Sequence, residues 1–205
     1  MGQQETAGKG TGRLAARDLV TVGIFTALYL VFMMVGGAFF APNPVLTFWM
    51  PAAVALLTGP IYLLLIAKVP KHGPLIVVGV VEGLFLFATG MYWGWAVACV
   101  VLGIAADIIA GIGRFRSKAL NFTAFVVYSL SPMGSYLMLW ANPTGYASYL
   151  VGKGAEQAYM DTMMSTATDW MLPAMVLATV ACAIISGLLG MRLLHRQFEK
   201  AGITA

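Results

Sequence analysis

The stretch LIVVGVVEGLFLFATG, residues 75–90, is apolar over nearly its whole length, yet it carries Glu82 at its middle. In a soluble helix such a carboxyl would be ordinary. At mid-depth in a bilayer an acidic side chain costs several kcal/mol, about 2.5–3.5 on insertion scales. What this segment is dissolved in therefore decides the fold. Composition answers: of 205 residues, 60% are hydrophobic and only 10% charged, where soluble domains carry about 25% charged residues. A chain this apolar cannot cover its surface with polar groups, so an all-α membrane protein is expected. Within it, Glu82 must face the protein interior or a wet cavity, because a lipid-facing carboxylate would be expelled or protonated. Its helical neighbours Val78, Gly79, Phe85 and Leu86 cannot pair with it. Its partner is expected from another span, from ligand or from water.

About 20 apolar residues are needed to cross a bilayer. Six spans are expected, near 18–37, 45–67, 74–90, 93–113, 119–140 and 169–194. They form one domain, 15–200, behind a polar, Gly-rich tail, 1–14, expected to be flexible. The apolar run after Arg17 is longer than a signal-peptide core and reads as a retained first span. Pro74 suits the first turn of the third span. Gly59-Pro60 should interrupt and kink the second span, and Pro132 the fifth, since proline removes a backbone donor and crowds the preceding turn.

Net charge is +4, but the basic residues fall in short clusters between apolar runs rather than on one binding face. Eleven of the twelve Lys and Arg lie on one side of the six-span scheme and only Lys153 on the other. The positive-inside rule then places both termini in the cytoplasm. The outer side holds GGAFFAPNP, the turn TGMYWGW, and the long segment 141–168, which has no obvious structure and is rich in Tyr and Met. Loops of that length are commonly functional or disordered.

Chemistry-bearing motifs are sparse. His72 and His195 stand at the basic boundary, and HExxH, G-x-S-x-G and Walker-type loops are missing, so neither an enzyme nor an ATPase is expected. Cys99 and Cys182 sit singly in apolar runs and offer no metal or disulfide framework. Asp107, two turns before Arg114, is expected to be structural, pairing with Arg114, Arg116 or a neighbouring helix. Small residues recur every fourth position: Gly23 and Ala27; Gly79 and Gly83; Cys99, Gly103, Asp107 and Gly111; Ala174, Ala178, Cys182, Ser186 and Gly190. Such ridges let helices approach closely in lipid, within this bundle or against another subunit.

Six spans, cytoplasmic termini, the Gly23/Ala27 pair and the A-D-x-x-x-G ending of the fourth span (Ala106, Asp107, Gly111) resemble an S component of an energy-coupling factor (ECF) transporter. More narrowly, residues 15–200 resemble the Trep_Strep group of bacterial membrane proteins. The resemblance implies a multi-pass protein of the bacterial cytoplasmic membrane that captures a micronutrient at the outer side. It also implies a transmembrane coupling protein, docked on Gly23 and Ala27, and two cytoplasmic ATPases that hydrolyse ATP, with no cofactor in this chain. Gly23 departs from the family's usual alanine there but keeps the small face. The loop after the first span, with Phe39, Phe40, Pro42 and Asn43, would cover the pocket. Candidate pocket residues are Phe40, Asn43, Trp49, Glu82, Tyr92, Trp93, Trp140, Asn142 and Tyr146, with Tyr149 and Tyr159 nearby. An apolar lining with a few polar groups suits a flat, partly hydrophobic ligand. A vitamin-like compound fits, as does haem held by Tyr or by Met160, Met163 or Met164. Two other classes stay open: an ion- or proton-coupled carrier or channel, and a non-transporting scaffold.

Overall fold

The computed structural model describes residues 14–200, and for 194–200 the helical backbone alone. The tail 1–14 thus falls almost wholly outside the described residues, as does the side chain of His195. Everything regular that is described is helical: α1 (Ala16–Ala38), a 3-10 turn (Leu46–Trp49) running into α2 (Met50–Lys68), α3 (Pro74–Ala88), α4 (Trp93–Ile112), α5 (Lys118–Tyr128), α6 (Met133–Ala141), α7 (Pro143–Gly152), α8 (Gln157–Thr166) and α9 (Met171–Lys200). Four segments are long and apolar enough to cross a membrane: α1, the 3-10 turn with α2, α4, and α9 to Leu193. A fifth is the pair α5–α6, bent by 42°. The helix carrying Glu82, α3, has only 15 residues, which is short of the roughly 20 needed for a crossing. Length and composition thus give four or five spans where six were expected.

The two prolines behave differently, and neighbours explain why. Pro132 ends the regular helix, and the chain passes the break by i→i+3 bonds, with Ser131 N donating to Tyr128 O at 3.0 Å and Met133 N to Leu130 O at 3.0 Å. Pro60, expected to interrupt its span, lies inside an unbroken α2. A proline at 60 leaves the Leu56 carbonyl without its helical donor. The Ser186 hydroxyl of α9 donates to that carbonyl at 2.6 Å and accepts from Gly59 N at 3.2 Å. A neighbouring hydroxyl thus supplies the bond the proline cannot, as transmembrane prolines require.

Small-residue ridges set the close helix pairs. A Cβ on Gly79 would run into the Cys99 carbonyl, and one on Gly83 would stand 2.8 Å from the Ala96 carbonyl. The Gly79/Gly83 ridge of α3 therefore meets the Cys99/Gly103 ridge of α4 backbone to backbone. On α9, Gly190 lies on Pro60 and Ser186 on Gly59, which seats α9 along α2. The α1 ridge is different: Gly23 and Ala27 are exposed, and a Cβ on Gly23 would meet open space.

The connections sort to two ends. At one, Lys71 pairs with Asp18 at 2.7 Å, His72 packs edge-on against Phe115, and Gly73 lies against Leu14. This gathers the start of α1, the α2–α3 and α4–α5 turns, and their basic residues. At the opposite end lie the α1–α2 and α3–α4 connections and the whole of 141–170. Two core clusters fill the bundle between them: an aliphatic and aromatic one at the basic end, and a Met- and aromatic-rich one at the other. The exterior is apolar, with Leu19, Val20, Ile24, Leu28 and Val31 exposed along α1.

Candidate functional site

Segment 141–168 is folded rather than a loop. Asn142 caps α7, its side chain accepting from Gly145 N at 3.0 Å, with Pro143 in the first turn. That Asn-Pro pair is a helix-start signal readable in sequence. On α8, Met160 and Met163 are buried three residues apart, so one face of the helix turns inward. Tyr159 of α8 donates its hydroxyl to the Ala41 carbonyl at 2.7 Å, tying this helix to the connection after α1. The two helices close over the end of the bundle.

Beneath them is a cavity of about 420 Å³, within the size range of small-molecule sites, about 300–1,000 Å³. Its walls come from α1 (Met33, Met34), the 3-10 turn and α2 (Thr47, Met50, Val54), α3 (Phe85, Leu86), α4 (Trp95), α6 (Ser135, Tyr136), α7 (Tyr146) and α8 (Tyr159, Met160, Met163). Tyr92, from the α3–α4 turn, also lines it and contacts the rings of Tyr146 and Tyr149 at 5.0 and 5.1 Å. Among the described residues of the lining there is no Asp, Glu, Lys, Arg or His, and six are methionines. Burial pushes the Tyr146 phenol up to about 12, so it stays neutral at physiological pH, and it raises Tyr159 as well. Most of the polar groups have internal partners. Tyr136 donates to the Thr47 carbonyl at 2.7 Å, and Ser135 and Tyr146 hydroxyls stand 3.3 Å apart. Trp95 is the exception, its buried Nε1–H having no partner among the described residues.

One helical turn deeper lies a second layer. Below Met33, Val54, Leu86, Trp95 and Ser135 sit Tyr29, Thr58, Glu82, Cys99 and Ser131 respectively, all buried. Glu82, 2% exposed, accepts a hydrogen bond from Tyr128 Oη at 2.5 Å, and the Cys99 thiol lies beside the same carboxyl. Tyr128 stacks on Tyr62 at 5.2 Å and meets Tyr29 edge-on at 5.9 Å. The carboxyl of the short helix thus finds its partner on α5. Leu86 stands between its turn and the cavity.

Of the other residues marked from sequence, Tyr92, Tyr146, Tyr159, Met160 and Met163 line the cavity, while the rest stand around it. Phe40 and Trp49 are half-buried against the core, and Trp140 packs edge-on against Phe48. Trp93 is exposed beside Tyr92, Asn43 caps the 3-10 turn through Val45 N and Leu46 N, and Asn142 caps α7. Trp95, Tyr136, Met33 and Met50 were not singled out. They carry no local signal that separates a cavity wall from a packed core, and only the α8 Met pair has a legible spacing.

At the basic end, Asp107 accepts from Gly73 N at 3.0 Å and holds His72 Nδ1 at 2.7 Å. Arg114, the partner considered from sequence, is exposed and makes no ion pair among the described residues. A side chain at Gly111 would collide with the His72 ring. The A-D-x-x-x-G pattern therefore has a local cause: the acid pins the α2–α3 turn, and the glycine one turn on leaves room for its histidine.

An apolar-skinned helical bundle whose buried carboxyls, Glu82 and Asp107, are each paired, with a neutral cavity closed by two short helices, defines a polytopic integral membrane protein. The chain belongs to the Trep_Strep family, hypothetical bacterial integral membrane proteins, whose family model matches residues 16–200. No curated protein and no solved structure matches it.

Proposed function

We propose that this protein is the substrate-binding S component of an ECF-type importer in the bacterial cytoplasmic membrane. It captures a micronutrient in the cavity under α7 and α8 and hands it on through a transmembrane coupling protein driven by two ATPases. The chain performs no catalysis and holds no cofactor. On this reading the basic end is cytoplasmic, as the positive-inside rule requires, and α3 completes a six-span bundle. The short α3 is covered by packing on α4, so it need not match the full bilayer thickness by itself.

The observation that carries the proposal is the bare small ridge of α1. The α3, α4 and α9 ridges are used inside the bundle, whereas Gly23 and Ala27 face outward with nothing on them. A small outward face in lipid is suited to close approach by another membrane helix. The cavity at the far end supplies the other half of the function. A proton-coupled carrier would need a charged group reaching the cavity. Glu82 is instead sealed one turn below it and paired with Tyr128. A scaffold would leave the cavity unused.

The test is co-expression with a coupling protein and its two ATPases from the same bacterium. The tagged wild-type chain should carry all three through purification, and the double variant Gly23→Leu/Ala27→Leu should fold alone yet lose them. A wild-type chain that never assembles, or a double variant that assembles as well, refutes the proposal.

A further inference from the structure

We infer that the cavity takes an uncharged, lipid-soluble ligand, which enters sideways from the outer half of the bilayer through a mouth between the ends of α1 and α3. This rests on the reading of the chain as a substrate-binding subunit and specifies what it binds and from where. The first ground is charge. No carboxylate, amine, guanidinium or imidazole lines the cavity among the described residues. An ion moved into such surroundings loses its hydration with no opposite charge to replace it. The lining hydroxyls of Thr47, Thr89, Ser135, Tyr136, Tyr146 and Tyr159 are bonded to one another or to backbone carbonyls, so the protein already satisfies them. A ligand with two carboxylates, such as haem, would leave both without a cationic partner inside.

The second ground is where the wall is open. Every lining residue on α2, α4 and α6 is buried, as are Tyr146, Met160 and Met163 of the two covering helices. The exposed ones are Met34 near the end of α1, Ala41 after it, Thr89 at the end of α3 and Met91 after it. Gly37 and Phe85 beside them are half-buried. So are Leu150, Ala155 and Tyr159 at the upper edge, where the Tyr159 hydroxyl holds the Ala41 carbonyl. The mouth therefore lies between α1 and α3, below the cover rather than through it.

The third ground is depth. Asp18, paired with Lys71, marks the basic boundary at the start of α1. Met34 stands four to five turns further along the same helix, about 24 Å at 1.5 Å per residue, which is inside a hydrocarbon core about 30 Å thick. The surface beside the mouth is apolar as well, with Val31 and Val35 of α1 and Val81 and Leu84 of α3 all exposed. Polar and amphipathic anchors stand further out, where Trp93 is exposed and Lys153 lies against Gly90, as side chains at a membrane interface do. A ligand dissolved in the lipid reaches this mouth directly.

The experiment uses adamantyl diazirine, a neutral, lipid-soluble cage that inserts into neighbouring bonds on illumination, and nanodiscs holding the full chain. Mass spectrometry should find adducts on the α8 segment with the buried Met160 and Met163, besides those on lipid-facing helices. 1-Adamantanol should displace the α8 adducts. The same cage carried as 1-adamantanesulfonate or 1-adamantyltrimethylammonium should need at least about tenfold more, as an uncompensated charge in an apolar site demands. Competitors are compared at equal uptake by empty nanodiscs of the same lipid. For the route, vesicles loaded with the diazirine are mixed with the nanodiscs and flashed at increasing times. Thr89→Trp and Met34→Trp, on opposite sides of the mouth, should each slow the appearance of α8 adducts several-fold without slowing those on α9. Both positions are exposed, so neither substitution disturbs the core. Ser148→Trp, exposed on α7 and outside the lining, should leave the rate unchanged. The inference is overturned if α8 gains no displaceable adducts, if either ion competes as well as the alcohol, or if a folded mouth variant loads at the wild-type rate. Assembly with the coupling protein is scored on the same preparation. Assembly without displaceable labelling refutes the ligand class and spares the subunit reading, and labelling without assembly does the reverse.

Discussion

Replacing Ser186 by alanine should weaken the bundle through one carbonyl. Ser186 is fully buried, donates to the Leu56 carbonyl at 2.6 Å and accepts from Gly59 N at 3.2 Å. Leu56 stands four residues before Pro60, so no backbone N–H is available to its oxygen once the hydroxyl is gone. Within lipid no water replaces it. Stranding a buried polar group costs about 1–3 kcal/mol. Interhelical side-chain bonds measured in bilayers average about 0.6 and reach about 1.7 kcal/mol. Two bonds on one hydroxyl, one of them irreplaceable, place Ser186→Ala at about 1.5 kcal/mol, near the top of that range. Packing changes little, because the serine Cβ that abuts Gly59 is kept. The decisive control is Pro60→Ala, which restores an N–H four residues after Leu56. In that background Ser186→Ala should cost about 0.5 kcal/mol or less, leaving a coupling of about 1 kcal/mol in the double-mutant cycle. Helix loss on titrating sodium dodecyl sulfate into mixed micelles, followed by far-UV circular dichroism, reads all four proteins. Equal costs of Ser186→Ala with and without Pro60 would refute the argument that the hydroxyl stands in for the proline's missing donor.

Glu82→Leu should destabilise by about 1–3 kcal/mol in the same titration, since it strands the buried Tyr128 hydroxyl; Glu82→Gln, which keeps an accepting oxygen, should lose less than half as much, and equal losses would deny the hydrogen bond its role. Gly79→Leu should separate α3 from α4, because the obstruction is the Cys99 backbone and not a movable side chain; the expected result is loss of the monodisperse peak in size-exclusion chromatography, and an unperturbed peak would contradict the packing. Asp107→Asn should lower folded yield, since it weakens the His72 and Gly73 contacts that pin the α2–α3 turn; a wild-type yield of folded Asp107→Asn protein would contradict that structural role.

The sequence by itself determined the solvent and much of the frame. Scarce charge and long apolar runs made this a membrane bundle, the four-residue ridges marked where helices meet, and Pro132 marked the break between α5 and α6. These are properties of composition and of periods no longer than one or two turns, so they survive in a linear reading. What the tertiary structure decided depends on which turns of different helices come level. Pro60 fails to interrupt α2 because Ser186, 126 positions later, reaches its orphaned carbonyl. Glu82 is quiet because Tyr128 is brought to it from α5, and Asp107 takes His72 from a different turn instead of Arg114 on its own chain segment. The cavity is the furthest from a linear reading. Trp95, Tyr136 and the methionines look like core in sequence, and the void they leave is a mismatch among eight segments that no one of them encodes.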